Sequence, residues 1–308
     1  MKKLSSVFLN AILLFFCLLA VFPFIWMLCS SFKTNAEISS LAQTLFPQHF
    51  SFQNYSDVLN KFDFFRYFGN SLIYALLITV ITVYTSTIAG YVLCKYRFKG
   101  RDALFTMILM TMMIPGVVTL IPRYSIMQSL KWIDTYQALI VPSIFTAFGI
   151  FLMRQSCAVI PNELIEAARM DGANEFYIFH RIIIPQLNNA IVSMSVFQFL
   201  WAWDDYLWPF LMIRDTKKQL LPVALNLFSG QYSTDYAGLF AATSIAIIPV
   251  VIFYIIFQNE VYCRYFLVCN QGLRRFFYGC QLLPNSTEIR SCILFSCAIT
   301  VKKELQWR

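Results

Sequence analysis

Six long apolar stretches alternate with shorter polar segments along the chain. Each stretch approaches the roughly 20 apolar residues that an α-helix needs to cross the hydrocarbon core of a bilayer. The stretches are residues 7–29, 71–94, 103–121, 133–153, 191–213 and 239–257. This pattern predicts an all-α integral membrane protein with six transmembrane helices within residues 1–258. The first stretch is predicted to remain as a helix, because no small-residue cleavage site follows it.

The composition of the 308 residues indicates a lipid environment. Hydrophobic residues make up 58% of the chain, charged residues only 13%, and the mean hydropathy is +0.62. A soluble domain carries about 25% charged residues, so membrane lipid must cover much of this surface. The net charge of +8 comes from Lys and Arg residues that flank the apolar stretches. A basic face with interleaved aromatic residues is missing, which argues against a nucleic-acid partner.

A dense basic cluster sets the predicted orientation. Lys95, Arg97, Lys99 and Arg101 lie in the short turn between the second and third apolar stretches. Short basic loops tend to stay on the cytoplasmic side of a membrane. We therefore expect a multi-pass cell-membrane protein with both termini in the cytoplasm, in which residues 160–187 form a cytoplasmic loop.

Residues 160–187 are a polar interruption whose turn chemistry predicts two short helices. Asn162 is predicted to cap the first helix, and Glu166 lies in its first turns, where the helix dipole favours an acid. Gly172 suits the left-handed residue after a helix end, and Asn174 can cap the second helix. This helix–Gly–helix order fits either a docking element for another protein or an amphipathic connector at the lipid headgroups.

The same loop resembles a known motif. Glu166-Ala-Ala-Arg-Met-Asp-Gly172, followed by Ile182-Ile-Ile-Pro185, resembles the EAA loop of binding-protein-dependent ABC importer permeases. Ile184 stands where that family usually has Leu. The resemblance implies that this coupling loop sits against a separate ATPase subunit. By this resemblance, the residues expected to contact the ATPase and couple its motion to transport are Glu166, Ala167, Ala168, Asp171, Gly172 and Pro185.

Further motifs resemble the sugar-importing branch of that family, the branch of the smaller maltose permease. In chain order they include Ser30-Ser-Phe-Lys-Thr-Asn-Ala-Glu37, Ala89-Gly-Tyr91, Phe98-Lys-Gly-Arg101, Met113-Ile-Pro115, Phe148-Gly-Ile-Phe-Leu-Met-Arg-Gln155 and Trp203-Asp-Asp-Tyr-Leu-Trp-Pro209. The last motif departs from the family pattern at Asp204, where Asn is usual. That departure concerns how a solute or a neighbouring helix is held.

The resemblance implies a permease subunit of an ATP-binding-cassette importer in the inner membrane of a prokaryote. Such a subunit translocates a sugar or oligosaccharide delivered by an extracytoplasmic solute-binding protein. Its expected protein partners are a second permease subunit, in a heterodimer, and cytoplasmic ATPase subunits. The chain has no P-loop sequence, so ATP and Mg²⁺ are expected on the ATPase. This chain is expected to hold no cofactor and to be no enzyme.

The sequence is also compatible with other functions. The chain fits a permease for another solute class, an ion-coupled secondary transporter that uses Asp204 or Asp205, or a structural membrane protein. These acids, with the aromatic residues around them, form a candidate translocation pathway, because an acid within a membrane is costly and usually functional. The pathway candidates are Trp203, Asp204, Asp205, Tyr206 and Trp208. An interfacial aromatic belt is the alternative interpretation.

Histidine and cysteine residues add little chemistry. His49 and His180, the two histidines, are predicted on opposite sides of the membrane, so no metal site is expected. Cys157 is predicted to begin the cytoplasmic loop. Residues 259–308 carry five of the nine cysteines without paired spacing. This segment is interpreted as an atypical C-terminal tail that resembles an out-of-frame gene end.

Overall fold

Helices build the part of the chain that the structure describes. The computed structural model describes residues 2–40, 44–61, 63–228 and 234–276, and no β-strand is assigned within these ranges. The helices of the first half are α1 (Lys2–Ser30), α2 (Asn35–Ile38), α3 (Gln53–Lys61), α4 (Phe64–Lys95), α5 (Arg101–Thr111), α6 (Leu120–Ser129), α7 (Tyr136–Ile140) and α8 (Ala147–Ala158). The predicted all-α fold class is confirmed.

The second half begins with the coupling loop and ends in a long helix. Its helices are α9 (Asn162–Met170), α10 (Glu175–Tyr177), α11 (Ile184–Gln186), α12 (Asn188–Trp203), α13 (Leu207–Met212), α14 (Leu221–Ala224) and α15 (Tyr236–Phe276). A π-helical segment, Ile178–Ile183, joins α10 to α11. Short 3₁₀ turns cover Val141–Ser143, Thr216–Lys218 and Leu225–Phe228.

Helix α4 lies at the centre of the fold and packs against α8 and α12, and α12 also packs against α15. Small residues allow the tightest of these contacts. A Cβ atom added at Gly90 of α4 would lie 2.6 Å from Met153 Cβ and 2.7 Å from the backbone nitrogen of Arg154 in α8. Close approach of backbones at small residues is a common way for helices to pack within membranes. Gly90 therefore sets the distance between α4 and α8.

Four helices of the described residues are long and apolar enough to cross a membrane: Asn10–Ser30, Phe64–Lys95, Tyr136–Ala158 and Tyr236–Phe257. A fifth candidate is the pair Glu175–Gln186 and Asn188–Trp203, whose axes are bent by 77° at Leu187. The prediction of a multi-pass membrane protein is confirmed. The predicted number of six spanning helices is not.

The predicted span 103–121 is wrong as a single helix. The segment is divided between α5, which ends at Thr111, and α6, which begins at Leu120. Between them, the backbone N–H groups bond to the carbonyl three residues earlier, not four as in an α-helix; Val118 N–H, for example, donates to the Pro115 carbonyl. Pro115 has no backbone N–H and disfavours helical geometry in the residue before it. Gly116, a poor helix former, follows Pro115 directly. Hydropathy alone did not register these breaks.

The predicted span 191–213 is also interrupted. Helix α12 ends at Trp203, residues 204–206 are not helical, and α13 begins at Leu207. At this point the side chain of Asp205 accepts hydrogen bonds from groups outside α12, Tyr74 Oη and the backbone N–H of Trp208. Cys157 does not begin a loop as predicted: it is a fully buried residue of α8.

The interpretation of residues 259–308 as an atypical tail stays a prediction. Helix α15 continues without a break through position 258 to Phe276. Residues 277–308 lie outside the described residues.

Candidate functional site

The first half of the coupling loop is helix α9, and its end has the predicted glycine geometry. Gly172 has a φ of +80°. Its N–H donates to the carbonyl of Arg169 at 3.1 Å, and the next N–H, of Ala173, donates to the carbonyl of Ala168 at 3.0 Å. These two bonds form a Schellman motif, which satisfies the last carbonyls of a helix and requires a residue that tolerates positive φ. The glycine prediction is confirmed.

The caps of the two helices differ. Asn174 caps the second helix as predicted, because its Oδ1 accepts from the N–H of Tyr177 at 2.7 Å. The prediction that Asn162 caps α9 is wrong: Pro161 holds the cap position and Asn162 is the first helical residue. The Asn162 Oδ1 instead accepts from Lys95 Nζ at 2.9 Å. This bond ties the start of α9 to the end of α4.

Helix α9 has one buried face. Ile165 and Ala168 are buried at i, i+3 spacing, as expected for an amphipathic helix that packs on a surface. They belong to a cluster with residues from the neighbouring helices α4 and α8, the π-helical segment and the start of α12. Its buried members are Tyr91, Cys157, Ile160, Ile165, Ala168, Ile178, Phe179, Ile183 and Leu187. The coupling loop is therefore part of one packed unit with the spanning helices.

An ion pair closes the loop on itself. Arg169 Nε of α9 lies 2.7 Å from Glu175 Oε1 of α10, and Tyr96 Oη donates to the other oxygen of Glu175. The hydrogen bond that Arg169 donates to the Glu175 carboxylate raises the pKa of the Arg169 guanidinium above its usual value. Both charged side chains are about half exposed, so water reduces the contribution of this pair to stability. The pair fixes the angle between the two short helices.

The other face of the coupling loop is open. Glu166, Ala167, Asp171, Gly172 and Pro185 are all exposed, whereas Ala168 is buried. Large apolar side chains surround them: Met170 is 87% exposed and Phe176 is 71% exposed. Exposed apolar residues clustered on a polar loop mark a surface for a partner. The structure thus leaves five of the six predicted coupling residues accessible and packs Ala168 in the cluster that joins α9 to the spanning helices.

The predicted pathway residues separate into two groups. Trp203 and Trp208 are buried in the core of this chain, and Trp208 Nε1 donates to the carbonyl of Ala138 at 3.0 Å. Asp204 is exposed, whereas Tyr206 is half-buried and bonded to Asn226. The two tryptophans thus pack helices together. Among the acids, Asp204 is the one free to meet a solute.

Asp205 has structural partners that the sequence did not identify. Its Oδ2 accepts from Tyr74 Oη of α4 at 3.4 Å, and its carboxylate also accepts from the backbone N–H of Trp208. Arg123 of α6 lies over the Trp208 ring, 4.2 Å from its centroid. Tyr74 is far from Asp205 in sequence, as Arg123 is from Trp208, and neither belongs to a motif, so no local signal pointed to these contacts.

Asp205→Ala is expected to destabilise the protein by about 1–3 kcal/mol, because it leaves the buried Tyr74 hydroxyl and the Trp208 N–H unpaired. Asp204→Ala is the matched control, since the same group is removed from the adjacent, exposed position. Thermal unfolding of the detergent-purified protein measures the difference. Equal unfolding temperatures for the two variants would contradict this role for Asp205.

Metal chemistry finds no support in the described ranges, where no group of three or more His, Cys, Asp or Glu side chains is placed to hold an ion. His180 makes other contacts: its Nδ1 lies 2.9 Å from the Phe176 carbonyl oxygen and its Nε2 lies 3.2 Å from Tyr84 Oη.

Residues 83–262 match the family described as binding-protein-dependent transport system inner membrane component. The chain is 35% identical, over 260 residues, to the arabinooligosaccharides transport system permease protein AraQ of Bacillus subtilis (strain 168). That match covers 82% of this chain and 92% of the relative. It is 29% identical to the lactose transport system permease protein LacG of Rhizobium radiobacter, covering 84% of this chain and 94% of that relative.

A solved structure has the same fold. A chain of a bacterial ABC transporter involved in the import of the acidic polysaccharide alginate superimposes with a TM-score of 0.76. The match covers 84% of this chain and 97% of that chain at 24% sequence identity. At this identity the likeness concerns the fold alone.

Proposed function

Because this chain belongs to the family of binding-protein-dependent transport system inner membrane components, we propose that it is the permease subunit of an ABC importer for a sugar or oligosaccharide. One observation supports the coupling role. The helix–Gly–helix loop exposes one face and packs its other face on the spanning helices α4, α8 and α12. The names of the relatives AraQ and LacG support a carbohydrate as the solute.

The proposed assembly contains several polypeptides. Cytoplasmic ATPase subunits bind ATP and Mg²⁺, an extracytoplasmic protein delivers the solute, and a second permease subunit completes the pathway in a heterodimer. In this arrangement both termini and the Lys95–Arg101 turn lie in the cytoplasm, as the positive charge of that turn favours. In this proposal the side chains of this chain take no part in ATP hydrolysis, which occurs on the ATPase subunits.

The proposed mechanism is a mechanical transfer of motion. The ATPase contacts the exposed face of α9 around Glu166 and moves it when ATP binds. The buried face of α9, through Ile165 and Ala168, packs against Tyr91 of α4 and Cys157 of α8. Close-packed interiors transmit displacement instead of absorbing it. Movement of α9 therefore turns the spanning helices and changes which side of the membrane the pathway faces.

The bend at Leu187 supports the same mechanism. The coupling loop continues through α11 directly into α12, with a 77° change of direction. Leu187 itself is buried, and its N–H donates to the carbonyls of both Ile183 and Ile184 at 3.0 and 3.1 Å. A rigid bend of this kind converts a push along the membrane surface into a tilt of α12.

A photo-reactive amino acid placed at Glu166 tests the docking directly. In cells that produce the complete transporter, we expect illumination to cross-link this position to a polypeptide that binds ATP. The matched control carries the same group at Lys217, an exposed residue on the opposite side of the membrane in the proposed orientation. Cross-linking of both positions to the same partner, or of Glu166 to lipid alone, would contradict the proposal.

A further inference from the structure

A cavity of about 520 Å³ opens beside the start of α9. It lies where α4 and α8 end and where α5 and α9 begin. Three cationic side chains line it: Lys95, Arg101 and Arg154. We refer to it as the basic cavity. The proposed transfer of motion makes no use of these three charges.

The fold holds the two arginines of the basic cavity in place. The Arg154 guanidinium lies over the Phe105 ring, 3.8 Å from its centroid, and Arg101 Nε donates to Asp102 Oδ1 at 3.0 Å. Their side chains are 24% and 26% exposed. They are therefore partly removed from water but still reachable. A guanidinium fixed in this way loses little freedom when it binds an anion.

Positive charge is in excess in the basic cavity. Two carboxylates face the three cations: Glu163 in the lining, and Asp102, whose Oδ1 lies 3.7 Å from Arg154 Nη2. The Asp102 side chain is 75% exposed, so water screens its pairing with both arginines. A further anion can displace it. Planar guanidinium groups match the oxygen atoms of a phosphate group in pairs of hydrogen bonds.

The position of the basic cavity indicates where that phosphate comes from. The spans Phe64–Lys95 and Tyr136–Ala158 both end at the cavity, so it lies at the membrane surface, at the level of the lipid headgroups. From Arg101, helix α5 exposes Leu104, Met107 and Met110 at i, i+3 spacing. These side chains offer an apolar strip for acyl chains below a bound headgroup.

We propose that the basic cavity binds the phosphate group of an anionic phospholipid, with Arg101 and Arg154 as its ligands. Basic pockets between the cytoplasmic ends of spanning helices suit anionic headgroups. A free phosphate shares this chemistry and is the other source of the ligand. Residues Ile160–Glu163 line the cavity and lead into α9, so the bound headgroup supports the start of the coupling surface. This proposal rests on the proposed function in one respect: the proposed orientation places the basic cavity at the cytoplasmic leaflet.

Native mass spectrometry of the complete transporter tests the proposal. The protein is purified with its partner subunits and incubated with phosphatidylglycerol, with phosphatidylcholine or with inorganic phosphate. Arg101→Gln and Arg154→Gln are each expected to lower retention of phosphatidylglycerol about fivefold, as the loss of one cation near an anionic lipid predicts. Asp102→Asn, which removes the competing carboxylate, is expected to raise retention. A purely structural role for these residues predicts no gain.

The double variant Arg97→Gln/Lys99→Gln is the matched control, because both residues are exposed in the same turn but do not line the basic cavity. Retention of inorganic phosphate that falls in the arginine variants, with lipid retention unchanged, identifies free phosphate as the ligand. Unchanged retention of both, or equal loss in the control, overturns the proposal. Copurification of the ATPase is scored separately, so failure of the site and failure of the proposed function are distinguishable.

Discussion

Gly172→Pro is expected to abolish ATP-driven uptake while the protein still inserts into the membrane. Gly172 has a φ of +80°, which proline cannot adopt, and its N–H donates to the Arg169 carbonyl, a bond that proline cannot make. The Schellman end of α9 is then lost, and α9 no longer keeps its angle to the second helix. We expect ATP hydrolysis to continue without transport, and the ratio of solute transported to ATP hydrolysed in proteoliposomes measures this.

Gly100→Pro is the matched control for this prediction. Gly100 also has a positive φ, +85°, and, like Gly172, has no atoms within 4 Å of an added Cβ. Both variants carry similar backbone strain, but Gly100 lies outside the coupling loop. Gly172→Ala adds a graded step, because a left-handed non-glycine residue costs roughly 1–2 kcal/mol. A normal transport ratio for Gly172→Pro would contradict the coupling role of this turn.

Gly90→Val is expected to prevent the spanning helices from assembling. The added side chain meets the backbone of α8 at Arg154 and the Met153 Cβ, neither of which can move by a change of rotamer. Overpacking costs about 1–3 kcal/mol even where neighbours can adjust, and here they cannot. We expect little monodisperse protein in detergent, as measured by fluorescence-detected size-exclusion chromatography.

Gly69→Val lies in the same helix and has open space around an added Cβ. It therefore controls for the loss of glycine and for the lower helix propensity of valine. We expect Gly69→Val to yield protein in amounts near those of the unmodified chain. Equal losses for the two variants would show that the distance between α4 and α8 is not what Gly90 determines.

The residues that sequence analysis placed correctly act over short distances along the chain. Gly172 and Asn174 follow from turn chemistry, which depends on a few neighbouring residues. The long apolar helices α1 and α4 follow from hydropathy, because an extended run of apolar residues has few other solutions. The exposure of Glu166 fits the predicted surface, whereas Ala168, predicted as a coupling residue beside it, is buried.

The residues that it misplaced depend on contacts between distant segments. By hydropathy, residues 103–121 are one apolar helix. The segment is broken around Pro115 and Gly116, because proline lacks the backbone N–H that a helical hydrogen bond needs, and a hydropathy scale does not count hydrogen bonds. Asp205 stays a pathway prediction, but its hydrogen bond to Tyr74 spans 131 residues of sequence and forms only where α4 packs beside the turn between α12 and α13. The basic cavity was missed for the same reason, because Lys95 and Arg154 come from different helices.

ATP hydrolysed on another subunit is expected to drive carbohydrate through this chain. The most direct test of this expectation is uptake of a labelled oligosaccharide into proteoliposomes that contain the complete transporter, with its binding protein on the outside and ATP enclosed. We predict uptake that requires enclosed ATP and persists when the proton gradient is dissipated. Uptake that continues without ATP and stops when the proton gradient is dissipated would contradict the claim.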